Sequence, residues 1–140
     1  MRMLGLDYGE KRIGVAVCDE LGMIARGVAV IDRKNKEHDM EAVARYVREY
    51  GAQKIVVGYP LRLDGTAGIQ CEKVDRFIGQ LEPVFSIPII RWDETLSTKE
   101  AEEILRAVNI RAKKKKAAID KTAAGVILQG YLDSQVGKNL

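Results

Sequence analysis

Two spacings of apolar residues alternate along this chain, and each change of spacing marks a new element. Arg2–Tyr8 is a compact apolar run closed by Gly9. Arg12–Cys18 sets Ile13, Val15 and Val17 at every second position, and Met23–Ile31 is a third extended run. A period of two is the mark of a strand with one buried face. The links between these runs, Gly9-Glu10-Lys11 and Asp19-Glu20-Leu21-Gly22, are short. Links of that length leave an antiparallel meander as the expected arrangement.

From Glu37 to Tyr50 the spacing becomes helical, with Met40, Val43, Ala44 and Val47 on one side and Gly51 as a stop. Lys54–Gly58 is a continuous apolar run of the kind buried on both faces. The loop Tyr59–Gly65 leads to a second helix over Thr66–Leu81, ended by Pro83, and Pro88–Trp92 is the fifth strand. Ser97 and Glu100 have the spacing of a capping box, opening a helix that buries Ala101, Ile104, Leu105 and Val108. A last helix is expected over Ala118–Ser134. Strands linked by helices add in parallel through right-handed crossovers. The expected architecture is therefore α/β, with a five-stranded mixed sheet (three antiparallel strands, then parallel ones) and helices on both faces. The first strand would lie centrally and pair with the fourth, which brings Asp7 and Glu94 to the same sheet edge. No repeat or linker interrupts the pattern, so residues 1–140 are read as a single domain.

Composition narrows the class. The 140 residues are 46% hydrophobic and 31% charged, as in a globular protein. No apolar run approaches the roughly 20 residues of a membrane span, and nothing at the start resembles a secretory leader. Cys18 and Cys71 are too few for a disulfide framework, so a cytoplasmic location is expected. The single histidine, His38, reads as a solvent-facing residue near a helix start, and it argues against histidine-based zinc sites and Ser-His-Asp triads. The net charge is only +3, but it is unevenly spread. Arg111, Lys113, Lys114, Lys115, Lys116 and Lys121 crowd around Asp120 alone. Such a run is either a solvated loop or a phosphate-contacting one.

The acidic residues are better placed for chemistry than the basic ones. Asp7 ends a strand between Gly5 and Gly9, Asp93 and Glu94 end another, and Asp120 shares a helical face with Ala124, Ile127 and Tyr131. Each has an ordinary explanation: a turn aspartate before Gly9, carboxylates near a helix N-terminus, or a first-turn acid. Taken together, three carboxylates converging in the fold would repel one another unless a divalent cation lay between them. Ligation by oxygen alone favours Mg²⁺ or Mn²⁺ over zinc. Asp64-Gly65-Thr66 is either a turn with a cap or a ligand loop, and Tyr59 and Trp92 either pack or stack on bases.

Several blocks in order resemble one family across nearly the whole chain. They are Leu4–Val17 (LGLDYGEKRIGVAV), Ile55–Pro60 (IVVGYP) with Asp64–Thr66, Asp93–Thr98 (DETLST), and Asp120–Ala124 (DKTAA) with Ile127–Asp133 (ILQGYLD). Together they resemble the RuvX (YqgF) family of the RNase H-like superfamily, described as Holliday junction resolvases and as nucleases maturing the precursor of small-subunit ribosomal RNA. The resemblance implies an RNase H-like fold and a metal-dependent endonuclease. Asp7, Glu94 and Asp120 would be its catalytic and metal-binding carboxylates, holding two Mg²⁺ or Mn²⁺ ions about 4 Å apart. Lys11, Arg12, Arg62 and the Lys113, Lys114, Lys115, Lys116 segment would hold the nucleic-acid backbone. Structured RNA is the preferred partner, branched DNA the alternative, and a monomer or weak homodimer the expected state. Thr95 stands where many relatives have arginine, and Tyr59 where they have leucine; neither touches the acidic set. Two other classes remain open. An actin-like ATPase shares the opening motif but needs a second similar half, and a non-catalytic nucleic-acid-binding module would use the basic segment alone.

Overall fold

The computed structural model describes residues 1–60, 68–93 and 112–136, with the side chains of 112–122 and 136 excepted. Strands β1 (Leu4–Tyr8), β2 (Arg12–Cys18) and β3 (Ala25–Asp32) form the meander. Helix α1 (Lys36–Tyr50), strand β4 (Ile55–Tyr59), helix α2 (Ile69–Leu81), strand β5 (Ile89–Asp93) and helix α3 (Ala112–Val136) follow. The sheet order is β3-β2-β1-β4-β5. β1 pairs antiparallel with β2 and parallel with β4, which pairs parallel with β5. The central first strand, the mixed pairing and the helices on both faces agree with the sequence pattern.

Local chemistry explains most boundaries. Asn35 caps α1 by accepting from the His38 N–H at 2.8 Å. Gly51 ends the helix with φ 60°, a left-handed conformation that costs a residue without Cβ little, and the Ala52 N–H then donates to the Val47 carbonyl at 3.0 Å. β3 starts at Ala25, not Met23, because the Asp19 carboxylate takes the Met23 and Ile24 N–H groups at 2.7 and 3.3 Å and holds those residues in the turn. These bonds, Met23's first, hold the Asp19 carboxyl below its usual range.

The larger correction concerns α3. It begins at Ala112, so Lys113, Lys114, Lys115 and Lys116 lie on a helix and not in a loop. Lysine and alanine are both good helix formers, and no Gly or Pro interrupts them. A run of charge is thus no break in the helix. The Ser97 helix, the Asp64 loop, Arg62, Glu94 and Thr95 lie outside the described residues.

The two faces of the sheet are built differently. Leu4, Leu6, Ile13, Val15, Ile55 and Val57 pack against Met40 and Val43 of α1 and Val74, Phe77, Ile78 and Leu81 of α2. Ala16, Cys18 and Val56 pack against Ala124, Ile127, Leu128, Tyr131 and Leu132 of α3. No helix among the described residues is long and apolar enough to cross a membrane.

Candidate active site

Alternation along β1 assigns its residues to faces. Leu4 and Leu6 belong to the core under α1 and α2. Gly5 meets α3: a Cβ there would lie 2.8 Å from Leu128 Cβ and 3.2 Å from the Ala124 carbonyl oxygen. Asp7, two residues on, shares the α3 face. It is half-buried and interacts with its surroundings. Opposite it on β2 is Gly14. On β4, Val57 pairs with Leu6, so Gly58 is the residue level with Asp7. A carboxylate near the C-terminal end of the central strand is thus flanked by glycines on both neighbouring strands, neither of which sets a side chain beside it.

Helix α3 runs antiparallel to β1. Ala124 and Leu128 lie at Gly5, while the Tyr131 hydroxyl meets Lys54 Nζ at 3.0 Å, just before β4 begins. Four helical residues rise about 6 Å and two strand residues about 6.6 Å. One turn before Ala124, position 120 therefore comes level with Asp7. Strand β5 ends at the same edge: Trp92 is opposite Gly58 and Asp93 opposite Tyr59. Glu94 follows directly and lies outside the described residues.

The hairpin after Asp7 is tightly held. The Gly9 N–H donates to the Arg12 carbonyl at 2.8 Å, and a Cβ on Gly9 would stand 2.8 Å from that oxygen. Arg33 Nη1 donates to the Gly9 and Glu10 carbonyls at 2.9 and 2.7 Å, and its N–H to Lys11 at 2.9 Å. Lys11 and Arg12, adjacent in sequence, part company. Lys11 lines a cavity with Arg33, Lys34 and Tyr8. Arg12 lies on the α3 side and pairs with Asp32 at 3.4 Å, an exposed contact worth little. The lysines at 113–116 occupy successive positions of α3, and their side chains lie outside the described residues.

Tyr59 and Trp92 are structural. The Tyr59 hydroxyl donates to Asp75 Oδ2 at 3.0 Å, and Arg91 Nε donates to Asp75 Oδ1 at 2.9 Å. Burial, then the bond to Asp75 and its charge, push the Tyr59 phenol up to about 12, so it stays protonated at neutral pH. Trp92 packs edge-on against Tyr131, with centroids 5.8 Å apart. His38 is not a free surface group: its Nδ1 lies 2.9 Å from Asp39 Oδ1, beside Arg33.

Sequence reasoning missed Arg33, Lys34, Lys36, Lys73 and Arg76, which gather in adjoining cavities beside Tyr8. One signal was available. Lys34 and Lys36 flank the N-cap of α1, where the helix dipole disfavours cations.

Among the described residues, the strand ends at the Asp7 edge carry carboxylates and neither His nor Cys, and carboxylate oxygen suits hard divalent cations. Among the described residues no group of three or more His, Cys, Asp or Glu is placed to hold a metal ion. Two of the expected donors, Glu94 and the Asp120 side chain, lie outside them.

The sequence pattern of the RuvX family, described as "Holliday junction resolvase", matches residues 1–134. The chain belongs to the RuvX family. Its relatives include a "Putative pre-16S rRNA nuclease" of Syntrophus aciditrophicus (strain SB), 58% identical over 134 residues, covering 96% of this chain and 89% of that protein. A protein of the same name from Halothermothrix orenii is 47% identical over 135 residues, covering 96% of each. Two solved structures share the fold. The fowlpox virus resolvase bound to Holliday junction DNA has a TM-score of 0.60 at 14% identity, over 97% of this chain and 99% of that one. Thermus thermophilus RuvC with a Holliday junction substrate has a TM-score of 0.57 at 15% identity, over 98% and 96%. The fold of this RuvX member is thus the RNase H-like α/β fold of the resolvases.

Proposed function

We propose that this RuvX member is a cytoplasmic metal-dependent endonuclease that hydrolyses phosphodiester bonds in maturing the 5′ end of the small-subunit ribosomal RNA precursor. The observation that carries this reading is the setting of Asp7. A half-buried carboxylate lies one residue from the end of the central strand, glycines flank it on both neighbouring strands, and the α3 position carrying Asp120 is level with it. The names of the high-identity relatives supply the activity and the substrate class.

Asp7, Glu94 and Asp120 would hold Mg²⁺ or Mn²⁺ through carboxylate oxygens. When bound, such an ion stabilises charge on the phosphate and makes water a better nucleophile at neutral pH. This chain's residues do the positioning. Gly14 and Gly58 set no side chain beside Asp7. The Arg33-anchored hairpin fixes the strand end, and Lys11 and Arg12 offer cations on either side of it. Tyr59, protonated at neutral pH, is no general base.

The test is cleavage of labelled precursor ribosomal RNA and of a synthetic four-way junction, in Mg²⁺, Mn²⁺ or EDTA. Cutting of the RNA that needs metal supports the proposal. The family description and the junction-bound fold neighbours favour a second reading, resolution of branched DNA. That reading predicts paired cuts in the junction and a dimer in sedimentation, since two strands must be cut. Binding of both substrates without cutting would leave only a binding module.

A further inference from the structure

On the face of β1 opposite Asp7, two cavities of about 390 and 440 Å³ share Tyr8, Glu10, Arg33, Phe77 and Gln80 and so form one groove. Among the described residues its cations are Lys11, Arg33, Lys34, Lys36, Lys73 and Arg76, against the acids Glu10 and Asp39. Asp39 is already engaged by the Lys34 N–H at 3.1 Å and by His38. The excess positive charge comes from three separate segments: the β1–β2 hairpin, the N-terminal end of α1, and α2. A concave, basic cleft of this kind concentrates a polyanion. The Tyr8 ring on its floor offers no stacking face, because Phe77 covers one side at 4.2 Å and the Arg33 guanidinium the other at 4.3 Å. The lining cations suit phosphate.

The groove opens at Tyr8, one residue from Asp7 and at the same sheet edge. A chain crossing that edge reaches both faces. Because Asp7 and the groove lie on opposite faces of the sheet, a backbone that meets both must turn sharply around the edge; a duplex is stiff over many base pairs, whereas an unpaired strand can make the turn. We propose that this groove holds a single-stranded flank of the nucleic acid cleaved at the Asp7 edge, through sequence-independent phosphate contacts. The inference rests on the nuclease reading and adds the form of its substrate: a duplex or junction with an unpaired tail.

Fluorescence anisotropy in EDTA, where no cutting occurs, tests it with a blunt RNA duplex and the same duplex carrying a single-stranded oligouridine tail. The tail should tighten wild-type binding about tenfold. Lys73→Glu/Arg76→Glu on α2 should abolish that gain, leave blunt-duplex binding unchanged, and lower the salt slope for the tailed probe by about 1.4. Lys34→Glu/Lys36→Glu, on a different element, should do the same, with circular dichroism confirming the fold of each variant. A tail-dependent gain retained in both folded variants overturns the proposal, and so does equal loss for blunt and tailed probes. If the wild type binds neither probe, the nuclease reading fails first and this inference with it.

Discussion

The two faces of β1 spend their residues on opposite ends. Toward α1 and α2 the strand presents Leu4, Leu6 and Tyr8, and large side chains interlock down to the Tyr8–Phe77 stack. Toward α3 it presents Gly5 and Asp7, met across β2 by Ala16 and Gly14. One face is filled by the strand's own large side chains, and the other is emptied of them so that helix α3, with Ile127, Leu128, Tyr131 and Leu132, packs close. The contrast teaches why an acid survives in a central strand: the face it occupies was never committed to the main apolar core.

The comparison can be strained from either side. The largest expected stability effect is on the filled face. Phe77→Ala removes a buried ring and should cost about 3–5 kcal/mol in urea unfolding. If the faces are separable, the surviving folded fraction should keep its cleavage rate. Gly5→Ala attacks the emptied face. Its methyl would meet Leu128 Cβ at 2.8 Å and the Ala124 carbonyl at 3.2 Å, and neither is the far end of a flexible side chain. Helix α3 must move, at about 1–3 kcal/mol, and cleavage should fall more than stability does because Asp120 moves with the helix. Asp19→Ala, remote from both faces, should cost least, read as the smallest shift of the three in a thermal melt. The folded-state pKa of Asp19 is depressed, so its contribution is present above its unfolded value near 3.8 and lost as pH falls through the lower folded one. The difference between wild type and variant should therefore shrink in strong acid.

How much of this was legible follows from what kind of signal each part sends. Period two and short links determined β1–β2–β3, and a short apolar strand between helices placed β4 beside β1. The sheet order was thus readable before any contact was seen. The start of α3 was not, because four lysines look like a loop by charge and like a helix by propensity, and propensity won. Met23 and Ile24 read as strand by their apolar character, whereas Asp19 holds their N–H groups in a turn. Asp7 was visible as an acid after an apolar strand, but its setting was not: Gly14 and Gly58 become its neighbours only through pairing register. The basic groove was the least legible feature. Arg33, Lys34, Lys73 and Arg76 are scattered through the sequence as ordinary surface charges, and only the fold gathers them beside Tyr8.

The central claim is that chemistry belongs to the emptied face, at Asp7. The most direct measurement is Mg²⁺-dependent cleavage of precursor ribosomal RNA by wild type and Asp7→Asn, with the thermal midpoint of each recorded beside it. Loss of about 4 kcal/mol of transition-state stabilisation, roughly a thousandfold in kcat/KM, with little change in midpoint, is the predicted result. An Asp7→Asn protein that cuts as fast as wild type would contradict the account.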